Sequence, residues 1–366
     1  MQDLSRFDSV DEVVDRFRSH QYVITEQVAT VVYLATALQK PVLVEGPAGV
    51  GKTELAKTLA KASGRRLVRL QCYEGQDDTK ALYEWDYGKQ LLYTQLLRER
   101  IDTMLEGTTE LEDAAARLRG HEDVFFSEHF LVERPLLEAI RAPEPTVLLI
   151  DEIDRADEHL EALMLEVLAE FQVTIPELGT LEAVTMPWVV ITSNTTRDVS
   201  EALKRRCLHL SLGYPSAEGE LDILRLKVPE IGDQLLRKVV DVVRAVRELD
   251  LRKSPSISEA LDWARALTLL NVASLDREVI EQTISLIIKY DKDVERVQHE
   301  LPRLLRVIEQ APPRHDHDHH HDHHDHHHPH HHDPDHGDHG EPRTETETAA
   351  YNRNKKGYFG AVGSDA

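Results

Sequence analysis

The octapeptide Gly46-Pro47-Ala48-Gly49-Val50-Gly51-Lys52-Thr53 constrains this chain more than any other stretch, because it satisfies G-x-x-x-x-G-K-[ST] in a setting that gives the pattern physical meaning. An apolar run, Pro41-Val42-Leu43-Val44-Glu45, precedes it and reads as a strand. A helix-forming run, Thr53-Glu54-Leu55-Ala56-Lys57-Thr58-Leu59-Ala60-Lys61, follows it. In such a turn the glycines let backbone N–H groups curl around a polyphosphate, and the helix N-terminus adds its partial positive charge. Lys52 can then reach the terminal phosphates, and the Thr53 hydroxyl can ligate magnesium.

The flanking pattern extends this unit into a sheet. Leu67-Val68-Arg69-Leu70-Gln71-Cys72 predicts a second strand, after a helix that ends at Ser63-Gly64 as a C-cap would. Strand, loop, helix, strand opens a parallel α/β sheet. Residues 74–140 are less regular, with expected helices over Gln90 to Leu118 and Leu131 to Ile140. Thr146-Val147-Leu148-Leu149-Ile150 reads as a strand buried on both faces, carrying Asp151-Glu152 at its carboxyl end. Beyond it come a helix (Leu160 to Phe171), a hairpin over 173–184 turning near Leu178-Gly179, and a strand, Trp188 to Ser193, that ends at Asn194. A short helix from Val199 to Arg206 and a strand from Leu208 to Leu212 complete the unit. From Pro215 to Ala311 the pattern is all helical, broken at Pro229, Pro255 and Asn271-Val272-Ala273-Ser274. The expected division is an α/β core over residues 1–213, a helical lid over 214–311 and a disordered tail over 312–366.

Asp151, at the end of a buried strand, is placed to hold magnesium through water, and Glu152 to polarise the water that attacks a γ-phosphate. Read structurally, the same pair could simply cap the next helix near Ala156. Asn194 can donate and accept hydrogen bonds toward the γ-phosphate and the attacking water, although Ser193-Asn194-Thr195-Thr196 is also a natural turn. Arg205 and Arg206 end a helix, where cations are favoured in any case. Neighbouring helical residues point about 100° apart, so at most one of the two faces a nucleotide held by an adjacent subunit.

The ordered set GPAGVGKT, LLIDEID, ITSN and LKRRC, with a hairpin before the third motif and helices after the fourth, resembles the AAA+ ATPases and, within them, the MoxR group. Gln71-Cys72-Tyr73-Glu74-Gly75, Leu82-Tyr83-Glu84-Trp85-Asp86-Tyr87 and Glu133-Arg134-Pro135-Leu136-Leu137 are similar to the subgroup near the accessory ATPase of carbon monoxide dehydrogenase maturation. The resemblance covers residues 18 to 310. It implies an AAA+ α/β core with a parallel sheet and helices on both faces, and an all-helical lid. It makes Lys52 and Thr53 the Walker A residues, Asp151 and Glu152 Walker B, Asn194 sensor 1 and Arg206 the arginine finger. Cys207 replaces the family's aromatic after the finger, which leaves Arg205 open as an alternative. Ser254-Pro255 is followed by Ser256 where the family usually has the sensor 2 arginine, so Arg252 or Lys253 is left to substitute. Tyr22 and Val23 fall where such ATPases often contact adenine, although such a pair is also ordinary core. The sequence has no Asn-Lys-x-Asp guanine-reading pattern, which favours ATP over GTP. The resemblance further implies a ring, a hexamer, together with a von Willebrand A domain partner and a client metalloenzyme.

Composition narrows the remaining classes. With 66 acidic against 43 basic residues, a net charge of -23 disfavours nucleic-acid binding, which depends on lysines and arginines releasing counterions from phosphate. That balance also argues against a clamp-loader or helicase-like role. Two cysteines, Cys72 and Cys207, match neither metal-ligand nor disulfide spacing and read as structural thiols in a reducing compartment. No apolar run reaches membrane-spanning length and no leader pattern opens the chain, so a soluble, cytoplasmic protein is expected.

The last segment carries a separate signal. Fifteen of the 21 histidines lie between His315 and His339, among them His315, His317, His319, His320 and His321, interleaved with seven aspartates. Such a segment cannot bury apolar surface, and imidazole beside carboxylate suits nickel, zinc, cobalt or copper collectively. Two functions compete on these observations. One is an ATP-driven remodelling chaperone for metalloenzyme maturation; the other is a metallochaperone whose ATPase gates delivery of metal from the tail.

Overall fold

In the computed structural model, residues 6–76, 79–98 and 127–310 are described. The expected helix over Gln90 to Leu118 falls partly outside them, and the histidine-rich tail wholly so. All described residues lie within one compact unit.

Helices α1 (Val10–Ser19) and α2 (Glu26–Leu38) precede the sheet, each started by a side-chain cap, Ser9 to the Glu12 N–H and Thr25 to the Val28 N–H. Strand β1 (Val42–Glu45) leads through the phosphate loop into α3 (Lys52–Ser63), which stops at Gly64 in the left-handed conformation. Then come β2 (Arg66–Gln71), α4 (Thr79–Leu82), β3 (Tyr83–Trp85), α5 (Tyr87–Leu96), β4 (Leu131–Glu133), α6 (Pro135–Arg141) and β5 (Thr146–Asp151). After these lie α7 (Glu158–Glu170), the hairpin β6 (Gln172–Ile175) and β7 (Gly179–Glu182), β8 (Trp188–Ser193), α8 (Glu201–Arg206) and β9 (Leu208–Ser211).

The expected helix from Leu131 is corrected at its start, because Leu131–Glu133 pairs antiparallel with Tyr83–Trp85 as a strand. Pro135 explains the break: it holds Arg134 extended, at φ -101° and ψ 168°, and itself opens α6.

Five strands form one parallel sheet in the order β2-β5-β8-β1-β9. Alternate residues of each strand enter different cores. Leu43, Val68, Leu70, Leu148, Ile150, Val189 and Ile191 pack with α6, α7 and Leu203 of α8 on one face. Val42, Val44, Val147, Leu149, Val190 and Leu210 pack with α1, α2 and α3 on the other. This is the α/β architecture expected, a parallel sheet covered by helices on both sides. The register aligns the carboxyl ends, with Gln71 opposite Asp151, Ile150 opposite Ile191 and Glu45 opposite Ser193. That edge of an open α/β sheet is where ligands bind.

The remaining helices are α9 (Ala217–Lys227), α10 (Asp233–Arg247), α11 (Ile257–Leu269), α12 (Arg277–Thr283) and α13 (Asp291–Gln310). They bury a core of their own around Trp263, Val239, Val243 and Leu301, and the Trp263 indole N–H donates to the Thr283 hydroxyl at 2.9 Å. None of the described helices is long and apolar enough to cross a membrane.

Candidate functional site

The phosphate loop sits against two other segments. A Cβ on Gly46, whose φ is +153°, would lie 2.0 Å from the Leu212 carbonyl oxygen. A Cβ on Gly49, at φ +76°, would lie 2.3 Å from Ser256 Oγ. Both positions therefore require glycine for space as well as conformation. Pro47, Ala48, Val50 and Gly51 complete the turn, with Val50 buried and Gly51 at φ +100° leading into α3.

Lys52 is 6% exposed, and its ammonium donates to the Gly46 and Pro47 carbonyl oxygens, each at 2.7 Å. Burial lowers its pKa, and the charges of Asp154, Asp151 and Glu152 work against that lowering. The loop lysine is thus held inside the cradle by backbone acceptors and faced by three carboxylates.

Asp151 is the hub. Thr53 Oγ1 lies 3.0 and 3.2 Å from its two carboxylate oxygens, and Thr192 Oγ1 donates to Oδ1 at 2.6 Å. Arg69 donates to Oδ2 from Nε at 3.1 Å and from Nη2 at 2.6 Å. Thr192 also accepts the Glu152 N–H at 3.0 Å, so one hydroxyl of β8 ties both carboxylate residues of β5 to the sheet. A threonine hydroxyl beside a buried carboxylate at a helix N-terminus is a hard-oxygen set that fits magnesium.

Glu152 follows the strand with φ 59°, a left-handed conformation that a non-glycine residue adopts at a cost. Its carboxylate pairs with Arg155 Nε at 3.0 Å. A short 3₁₀ segment over Ile153–Arg155 follows without a side-chain cap, and the next helix, α7, is capped by Asp157, which accepts the Leu160 N–H at 2.9 Å, rather than by Asp151 or Glu152.

Asn194 lies half-buried at the tip of β8, and its backbone N–H donates to Asp154 Oδ1 at 3.0 Å. Asp154 Oδ2 accepts from the Thr196 N–H at 3.2 Å and from the Thr196 hydroxyl at 2.5 Å. Burial raises the Asp154 pKa, yet the hydrogen bonds from Thr196 and Asn194 outweigh it and hold the carboxyl below its ordinary value. Asp154 thereby fastens the loop that carries Asn194 to the segment that carries Glu152. Sequence reasoning missed Asp154, Thr192 and Arg69. A second aspartate three positions after Asp151 was the one local signal for Asp154.

The other expected residues are distributed around this centre. Tyr22 is packed edge-on to Phe17, with ring centroids 5.6 Å apart, and its hydroxyl lies 3.5 Å from the Gly51 carbonyl oxygen. Burial and the Glu54 charge push its phenol pKa up. Val23 lies half-buried in the same turn between α1 and α2. Arg205 and Arg206 are both exposed in the last turn of α8. The candidates for sensor 2 are engaged elsewhere: Arg252 lies 4.2 Å above the Tyr290 ring, and Lys253 Nζ is 3.0 Å from Glu259. What reaches the phosphate loop instead is Ser256, the N-cap of α11, in a capping box with Glu259. Burial pushes both thiols, Cys72 and Cys207, up to a pKa of about 12, which disfavours the thiolate.

A phosphate loop, a strand-end Asp-Glu pair and a strand-tip asparagine, converging on the carboxyl edge of a parallel sheet, define a P-loop nucleotide hydrolase of the AAA+ class. Residues 41–207 match the AAA domain, dynein-related subfamily, and the chain is an ATP hydrolase. An uncharacterized protein of Staphylococcus haemolyticus, SH1500, is 23% identical over 257 residues, which is 68% of this chain and 84% of that protein. Among solved structures, the RuvB Holliday junction branch migration motor of Thermotoga maritima aligns with a TM-score of 0.41 at 15% identity, over 84% of this chain and 82% of that one. A further structure of the same motor aligns with a TM-score of 0.43, also at 15% identity, over 85% and 82% of the two chains.

Proposed function

We propose that this ATPase is a MoxR-type remodelling chaperone that acts in the maturation or metal activation of a client metalloenzyme. The ATPase part of the reading is supported by the convergence of Lys52, Thr53, Asp151, Glu152 and Asn194 on one edge of the sheet, while two exposed arginines end α8 without an ion pair among the described residues; the chaperone part rests on the motif resemblance in the sequence. Lys52 binds the terminal phosphates, Glu152 accepts the proton of the attacking water once it leaves Arg155, and Asn194 orients that water. Magnesium, held by Thr53 and Asp151, neutralises phosphate charge when bound. Arg206, with Arg205 as the alternative, completes the site of a neighbouring subunit, and Tyr22 and Val23 border the adenine. The ring is a hexamer working in the cytoplasm on ATP, away from nucleic acid and membrane, and its partner is a von Willebrand A domain protein. The core ends at residue 213 and the lid runs over 214–311. Hydrolysis moves that lid and the hairpin Gln172–Glu182 against the client.

The variants Glu152→Gln, Lys52→Ala and Arg206→Ala test this. Glu152→Gln should retain ATP and hydrolyse it roughly 100-fold or more slowly, as loss of a general base predicts. Lys52→Ala should fail to bind ATP. Arg206→Ala should bind but not hydrolyse it, and mixing the last two variants should restore some turnover. Wild-type hydrolysis by Glu152→Gln would overturn the catalytic assignment, and no recovery on mixing would overturn the shared site.

The histidine and aspartate tail favours a second reading, in which residues 315–339 hold nickel, zinc, cobalt or copper and the ATPase gates its delivery. The two readings merge if the tail feeds the remodeller.

A further inference from the structure

Arg69 belongs to none of the motifs by which this site is recognised, yet it makes the closest charged contact to the carboxylate at its centre. β2 and β5 are paired in register, with Arg69 opposite Leu149 and Gln71 opposite Asp151. Side chains two residues apart on a strand share a face, so Arg69, Gln71 and Asp151 all project on the side covered by α3. The guanidinium reaches Asp151 Oδ2 at 2.6 and 3.1 Å and Gln71 Oε1 at 2.5 Å.

An ionised carboxylate has about four acceptor positions. Here the Thr192 hydroxyl, the Thr53 hydroxyl and two guanidinium N–H groups fill them. Any further cation or metal-bound water that uses Asp151 must therefore displace one of these donors. Thr192 lies in a fully buried strand, and Thr53 stands on α3 beside the carboxylate. Arg69 differs from both: its side chain is 46% exposed and it lies on the edge strand of the sheet, whereas Asp151 is 3% exposed. It is the donor that can leave.

We propose that Arg69 is a positioning residue that sets the magnesium demand of the ATPase: its guanidinium occupies Asp151 Oδ2 and yields it when the nucleotide's magnesium arrives. Two cations at one carboxylate repel, so the bond to Arg69 and the hold on magnesium are coupled, each weakening the other by the same factor. The site is thereby biased toward nucleotide that already carries magnesium, and the released arginine moves into solvent on the edge strand. This rests on the assignment of Thr53 and Asp151 to magnesium.

The test compares full-length wild type, Arg69→Met and Arg69→Lys. Binding of a fluorescent ATP analogue is titrated with magnesium, and thermal melting is followed from chelator to saturating magnesium. Removing the charge while keeping the apolar stem should lower the half-saturating magnesium concentration about five-fold, the scale of a half-exposed ion pair. Arg69→Lys, a point charge without the fork, should fall between the two. Arg69→Met should melt below wild type in chelator, with the gap closing as magnesium is added. An unchanged or raised half-saturation overturns the proposal, and a melting deficit of constant size at every magnesium concentration reduces Arg69 to a structural strut. If wild type itself bound the analogue without regard to magnesium, the assignment of Thr53 and Asp151 would fail together with this inference.

Discussion

Asp154 illustrates how one side chain can carry a site without touching the chemistry. Its two oxygens accept the Asn194 and Thr196 N–H groups and the Thr196 hydroxyl, and these bonds hold its pKa below the ordinary 3.8. In the window just below 3.8 the folded state then binds fewer protons than the unfolded chain, so this stabilisation is complete above 3.8 and is lost as pH falls through the depressed value. Asp154→Asn places a donor against donors, at a cost of about 1–3 kcal/mol. The melting temperatures of wild type and Asp154→Asn should therefore differ fully at neutral pH and converge as the pH drops below 3.8; a constant difference would mean that the charge is not what matters. The placement of Lys52, Thr53, Asp151, Glu152 and Asn194 at the loop and the strand ends was legible in the sequence because each sits at a fixed offset from a strand. Asp154, Thr192 and Arg69 were not, because their partners lie 40, 41 and 82 positions away.

At the scale of elements, the link between α11 and the phosphate loop has the clearest consequence. Ser256 caps α11, and its side chain fills the space beside Gly49. The phosphate loop and the N-terminus of this helix are thus in direct steric contact. Gly49→Ala should clash with Ser256 and weaken ATP binding, whereas Gly64→Ala is a control, since its Cβ would meet nothing within 4 Å at a similar φ of +64°. The control pays backbone strain of roughly 1–3 kcal/mol, and Gly49→Ala more than that. Adding Ser256→Gly to Gly49→Ala should recover part of the excess in a thermal melt; no recovery would show that the loop conformation alone is at fault. Element identity was readable wherever periodicity and caps agreed, as at Lys52–Ser63, Trp188–Ser193 and the hairpin. It failed at Leu131–Glu133, where an apolar run before Arg134-Pro135 reads equally as helix or strand until Tyr83–Trp85 is found beside it.

For the whole molecule, the question is whether the acidic, histidine-rich end serves the ATPase. Deleting residues 312–340 should leave ATP turnover intact and remove most nickel or zinc bound at equilibrium dialysis, because no group of three or more metal-ligating side chains occurs among the described residues. Client metallation in metal-limited medium should fall with it; metallation at the wild-type level would end the delivery reading and leave the remodelling one. The strand order β2-β5-β8-β1-β9 shows the other limit of sequence reading. Local pattern supplies strands and the helices between them, but not which strand lies beside which, since that depends on packing between residues distant along the chain. By itself, the sequence determined the phosphate cradle, the acidic pair, the strand-tip asparagine and the α/β alternation, because each is written in neighbours within a few residues. Only the tertiary structure decided that Thr53, Thr192 and Arg69 meet on Asp151 and that Ser256 leans on Gly49, because register and helix packing join positions up to about 200 residues apart.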